Sequence, residues 1–136
     1  MRQVLTLGVL WAIVGAAPVM ADISIEDGAA LFAAHYVACH GADGTGDGSA
    51  AAGLGTAAAD LTEIAARRDG VWPMLDGYVR QVSPRAGMPA ITALGDGPVV
   101  AFDTGNGQVT DVPARLLAIA TYLESIQSPK PERYVP

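Results

Sequence analysis

Cys39 and His40 stand side by side in the stretch FAAHYVACHGADGTGDG, from Phe32 to Gly48, and Cys39 is the only cysteine of the 136-residue chain. A thiol next to an imidazole at the end of a helix can do one specific thing: the sulfur anchors the edge of a haem while the imidazole ligates its iron. The usual attachment site reads C-x-x-C-H. Here the first cysteine position holds Tyr36, so the motif runs Tyr36-Val37-Ala38-Cys39-His40. An intermolecular disulfide and an inert buried thiol are the other fates open to a lone cysteine, and the adjacent His40 favours the cofactor over both.

The elements that must position this pair can be read outward from it. Ser24-Ile25-Glu26-Asp27 has the form of a capping box, with Ser24 as cap and Asp27 reaching back. From there Ala29, Phe32, Ala33, Tyr36 and Val37 recur at helical spacing, so one apolar stripe leads down to Cys39 and His40. Tyr36 lies three residues before Cys39 and four before His40, which places it on their face, beside whatever they bind. Glycines at 41, 44, 46, 48 and 53 then exclude a helix and predict a tight loop with positive φ. A phosphate loop would need a Lys-Ser/Thr that is absent, and Asp43 with Asp47 has neither the spacing nor the closing glutamate of a calcium loop. Backbone passing close to a flat cofactor accounts for the glycines better.

Further along, Asp60 to Arg68 reads as a short helix capped by Asp60, with Glu63 at its third position and Gly70 closing it. A second helix is expected from about Trp72 to Val82, opened by Pro73 and stopped by Ser83-Pro84, with Trp72, Leu75, Tyr78, Val79 and Val82 on its buried side. Gly87-Met88-Pro89 is different in kind. Pro89 forces Met88 out of the helical region, so an extended loop presents a methionine in a pinned shape. Residues from Pro98 to Thr110 predict a small hairpin. The last helix is expected to start at an Asp111 cap with Pro113 in its first turn, and to carry Leu116, Ile119, Ala120, Leu123 and Ile126 to about Gln127. Ser128 to Pro136 is read as an extended or disordered tail.

Arg2, the apolar run Val4 to Ala17 and the small residues of Val19-Met20-Ala21 predict a secretory leader, residues 1–21, cleaved after Ala21. An uncleaved anchor is the rival reading, opposed by Gly15, Pro18 and the small-residue end. Removal of Arg2 takes the formal charge from −6 to about −7 and leaves Lys130 as the only lysine. That balance argues against nucleic acid and anionic membrane surfaces as partners. It points instead to a partner with a basic docking face. Export to the periplasm would also give a lone thiol reason to be occupied. The large side chains are few for one domain, and a bulky apolar cofactor would complete the core.

Asp27-Gly28, Phe32, Cys39-His40-Gly41, Asp43-Gly44, Gly46, Asp60-Leu61-Thr62, Gly87-Met88-Pro89-Ala90 and Tyr122-Leu123 occur in an order and spacing that resemble a class I c-type cytochrome in its small bacterial periplasmic form. The resemblance covers nearly all of the chain after Ala21. It implies an all-α cytochrome c fold over residues 22–127, with about four helices around one haem and the hairpin as an insert before the C-terminal helix. It implies one haem c, covalent through Cys39, with His40 and Met88 as iron ligands. It also implies that the first and last helices cross where Gly28, Phe32 and Tyr122 meet.

Tyr36 is where this chain departs from the family pattern, and it rules out a second thioether. One thioether at Cys39, haem held by ligation alone, and a haem-free descendant remain; the presence of His40, Met88 and the glycine loop together favours the first. Met74 is the rival sulfur, placed in a helical turn and so better suited to the core. His35 is read as an exposed helix residue, with replacement of Met88 as a ligand or a metal site shared with Cys39 as its alternatives. The function implied is that of an electron carrier and not an enzyme, either free or as the cytochrome subunit of a periplasmic oxidoreductase, with His/Met ligation and no membrane association after leader cleavage. The alternative is a haem-free binding or assembly module on the same fold. A peroxidase-like site would require that Met88 not ligate.

Overall fold

The computed structural model describes residues 23–55, 57–74, 92–103 and 107–135. The leader with its cleavage site, the expected helix beyond Met74 and the loop carrying Met88 lie outside the described residues. The first helix, α1 (Ile25–His35), starts where its sequence signals it: the Asp27 N–H donates to Ser24 Oγ at 3.0 Å. The reciprocal bond from the Asp27 carboxylate is not formed. The buried ridge is narrower than the expected stripe. It consists of Gly28, Phe32, Tyr36 and His40, one residue per turn, while Ala33 is exposed. The helix is interrupted at Tyr36 (φ −116°, ψ −33°) and resumes as a single turn, α2 (Val37–His40).

The longest described helix, α3 (Ala114–Ser125), buries Leu116 to Ala120 and Leu123. It crosses α1 at close range because Gly28 has no side chain. A Cβ there would overlap the Ala118 carbonyl oxygen and come within 2.6 Å of Tyr122 Cβ. One turn on, the Phe32 and Tyr122 rings meet with centroids 5.1 Å apart. Gly28, Phe32 and Tyr122 therefore meet as the resemblance implies. Trp72, Phe32, Leu117, Ile119, Leu123 and Val112 are the large side chains that this packing seals from solvent.

The chain is not all-α, contrary to the expectation from sequence. Among the described residues two small sheets accompany the helices. In one, β1 (Val71–Pro73) pairs in parallel with β4 (Arg133–Val135), in register Trp72↔Tyr134; in the other, β2 (Val99–Asp103) pairs antiparallel with β3 (Val109–Pro113). The second sheet is the hairpin expected from sequence, and its inward residues Val100, Phe102 and Val112 pack on the core. It runs further than expected. Asp111 pairs with Ala101 inside the ladder and cannot cap the helix; Pro113 occupies the cap position, and the Ala114 N–H donates to the Pro98 carbonyl.

The helix expected over Asp60–Arg68 is instead two separate 3₁₀ turns, Leu61–Glu63 and Ala66–Arg68. Its cap is real: Asp60 Oδ1 accepts from the Thr62 N–H and from Thr62 Oγ1. The α-helical bond that should follow, from Ala65 N–H to the Leu61 carbonyl, is intercepted by the buried Gln127 side chain. Gln127 Oε1 accepts from the Ala65 N–H at 2.9 Å, and Nε2 donates to the Leu61 carbonyl at 2.7 Å and to the Leu123 carbonyl at 2.8 Å. Asp69 and Gly70, both left-handed, then turn the chain out into β1. Trp72 and Pro73 are consequently strand residues and fully buried, not the opening of a helix. Within the stretch read as a tail, Arg133–Val135 is a strand paired with β1.

Gln127→Leu keeps the volume and strands the Ala65 N–H and Leu61 carbonyl without partners. It should lower the unfolding free energy by roughly 2–4 kcal/mol, read from the denaturant midpoint at unchanged slope.

Candidate functional site

His40 ends the short α2 turn, and its side chain is buried. Its Nδ1 lies 2.9 Å from the Ala59 carbonyl oxygen. A carbonyl can only accept, so Nδ1 carries the proton and the neutral ring keeps its lone pair on Nε2. That is the arrangement of a metal-binding imidazole: one nitrogen free to ligate, the other fixed by a backbone acceptor that also raises its basicity. The Ala59 carbonyl is held in turn by its neighbours. Asp60 caps the following turn through Thr62, and the Leu61 N–H donates to the Gly44 carbonyl at 2.7 Å.

Cys39 is half-buried and in no disulfide. The loop after it folds back on the end of α2: Gly46 N–H donates to the His40 carbonyl, Gly48 N–H to that of Cys39, and Ala50 N–H to that of Ala38. The C-terminal carbonyls of the turn are thereby satisfied without further helix. Gly41, Gly44 and Gly46 all have positive φ, as the sequence predicts. Gly48 is required for a second reason, since a Cβ there would run into the Ala38 and Cys39 backbone. The loop leaves an open hollow lined by Gly46, Ala51, Ala52, Gly55 and Ala57, small side chains that let backbone approach a flat group closely.

Tyr36 is brought to His40, as its spacing predicts. The two ring centroids are 6.1 Å apart, and Tyr36 also stacks on Phe32 at 5.6 Å and 5°. Burial pushes its phenol up from 10.0 to about 12. His35 is exposed at the end of α1, and Met74 is half-buried against the core. Met88 lies outside the described residues. Among the described residues no three His, Cys, Asp or Glu side chains group as a metal site. The sequence reading missed Ala59 and Gln127. Ala59 acts through its backbone and leaves a trace only in the Asp60-Leu61-Thr62 turn that follows it; Gln127 was recognisable only as the end of a helix.

A haem suits these residues on the chemistry of the donor set: a buried imidazole whose Nδ1 is taken up by a backbone carbonyl, an adjacent free thiol, and a glycine loop that brings backbone near both. The family model for cytochrome c matches residues 25–127. No curated protein and no solved structure matches the chain.

The raised Tyr36 phenol carries a pH dependence. The folded chain keeps a proton that the unfolded chain releases between pH 10 and about 12, so this contribution to stability is complete below pH 10 and is lost as pH rises through 12. Tyr36→Phe has no such proton. The stability of wild type should therefore fall relative to Tyr36→Phe across that window, with tyrosinate absorbance for Tyr36 appearing above the ordinary phenol range; titration of Tyr36 near 10 would contradict it.

Proposed function

The chain belongs to the cytochrome c family, whose members bind haem c and transfer electrons, and on that premise we propose that it is a periplasmic one-electron carrier with a single thioether and His/Met ligation. The observation that carries this reading is the His40 Nδ1 bond to Ala59, which leaves Nε2 as a ligand in a buried, preset orientation. When bound, the haem supplies the one-electron couple of its iron. The residues of this chain do the rest. Cys39 would hold the group covalently, its S–H adding across one vinyl substituent. His40 would ligate from one side. Met88 would ligate from the other, favouring the reduced state and closing the open position that oxygen or peroxide chemistry needs. Met74, packed against the core, is left to structure. The leader read over residues 1–21 supports a periplasmic location. The acidic balance supports a redox partner with a basic docking face.

Tyr36 makes the attachment testable. A lone thioether leaves one vinyl group conjugated with the porphyrin, so the reduced pyridine complex should absorb at longer wavelength than that of a two-thioether haem c. Acid-acetone should still fail to extract it. Tyr36→Cys restores C-x-x-C-H and should move the band back; Cys39→Ala should make the haem extractable. A colourless, folded protein from a host with a working attachment pathway would overturn the carrier reading.

The sixth ligand is checked separately. Met88→Ala should abolish the weak sulfur-to-iron charge-transfer band of the oxidised protein, lower the reduction potential and admit exogenous ligands, while Met74→Ala should change none of these. The reverse pattern would assign the ligand to Met74.

A further inference from the structure

We propose that the outward face of the β2–β3 hairpin is the surface on which this chain docks a basic protein partner, one that sets an apolar centre among lysines or arginines. The ladder fixes which side chains share that face. Val99 lies opposite Pro113, Ala101 opposite Asp111, and Asp103 opposite Val109. Directly opposite residues of an antiparallel pair point to the same side. The alternate rungs, Val100 with Val112 and Phe102 with Thr110, take the other side, where Val100, Phe102 and Val112 pack on the core. Of the six outward residues Pro113 is half-buried and the rest are exposed.

A ribbon that packs one face on a core ordinarily turns polar residues outward. Here the outward face keeps two valines in water, Val99 at 58% exposure and Val109 at 64%. A single exposed valine would need no explanation. These two are joined, because Ala101 is a diagonal neighbour of both Pro113 and Val109, and Val99 stands opposite Pro113. Apolar surface therefore runs from Val99 and Pro113 across Ala101 to Val109. The other large apolar side chains exposed among the described residues, Ile25, Leu54 and Tyr134, stand on separate stretches of chain.

The charge on the face decides what can cover it. Asp103 and Asp111 are diagonal neighbours beside the apolar run, and none of the six outward residues is basic. Asp96, also exposed, precedes the ladder. Arg115, the basic residue closest to the hairpin in sequence, donates instead to the Ala93 carbonyl at 3.1 Å. A second copy of the chain would set this face against itself and bring the aspartates together. An anionic membrane would be repelled in the same way. A basic protein gains on both counts: the carboxylates speed and orient the encounter, and the valines supply apolar contact that excludes water. That such a partner exchanges electrons rests on the carrier reading; the face and its chemistry do not.

The test uses the protein as secreted by a host with a working haem attachment pathway, labelled with nitrogen-15 and kept reduced. It is titrated with two peptides of equal charge, one alternating lysine with valine and the other lysine with serine. The valine peptide should bind more tightly, and its amide shift changes should concentrate on residues 99–103 and 109–113. Threonine suits a strand, so Val99→Thr with Val109→Thr should keep the ladder and raise the Kd for the valine peptide about tenfold. Asp111→Asn should raise it about threefold and flatten its salt dependence, whereas Glu26→Gln, the same charge change on α1, should leave both as in wild type. Shift changes spread over all the acidic residues, equal affinity for the two peptides, or equal loss in Glu26→Gln would each overturn the proposal. Self-association of the protein through residues 99–113 would overturn it too. A colourless protein that gives the hairpin map keeps the docking face and loses the carrier reading; a red protein without the map does the opposite.

Discussion

The absence of a side chain at Gly28 is the constraint on which the rest of this structure depends. It lets α1 lie against the backbone of α3 at Ala118, closer than any residue with a Cβ would permit. Once that crossing is set, the i to i+4 ridge of α1 follows it. Phe32 falls against Tyr122, Tyr36 against Phe32, and His40 against Tyr36. The imidazole is therefore placed by a chain of contacts that begins at Gly28, about three turns before it. A shift of α1 on α3 would be felt at His40.

The second anchor comes from the other end of α3. Gln127 is almost fully buried, at 3% exposure, and uses both ends of its amide on the segment Leu61–Ala65. This draws the Asp60 turn onto the helix C-terminus, reinforced by the Ser128 N–H donating to the Thr62 carbonyl at 2.8 Å. Ala59 immediately precedes that turn, and its carbonyl is what orients His40. So α3 and the residues just past its end govern both sides of the imidazole, the aromatic side through Tyr122 and the polar side through Gln127. That stretch thus sets a site to which it contributes no ligand.

Much of this could be read in the sequence where the signals are local. The Ser24 cap, the positive-φ glycines 41, 44 and 46, the hairpin before the last helix and the spacing of Tyr36 to His40 each depend on residues within one or two turns of one another. The failures are equally physical. Asp60 and Glu63 do carry the start signal of a helix, but a side chain more than sixty positions away takes the hydrogen bond that helix needs. Asp111 has the right chemistry for a cap, yet pairing with Ala101 removes it from that role. Pro73 carries the signal of a helix start, yet Trp72-Pro73 is a strand because it pairs with Tyr134-Val135, in a tail whose prolines suggest no partner at all. The expectation of an all-α fold fell with these pairings, whereas the helix crossing and the turn around His40 did not depend on them.

We propose that this scaffold presents Cys39 and His40 to a single haem, held by one covalent bond. Its most direct test is the intact mass of the protein, expressed with a functioning haem attachment pathway and measured under denaturing conditions that strip any group held by ligation alone. The account predicts a chain heavier by one haem, with the added mass on the peptide containing Cys39 and His40. A chain at its bare polypeptide mass, with Cys39 free to be alkylated, would contradict it.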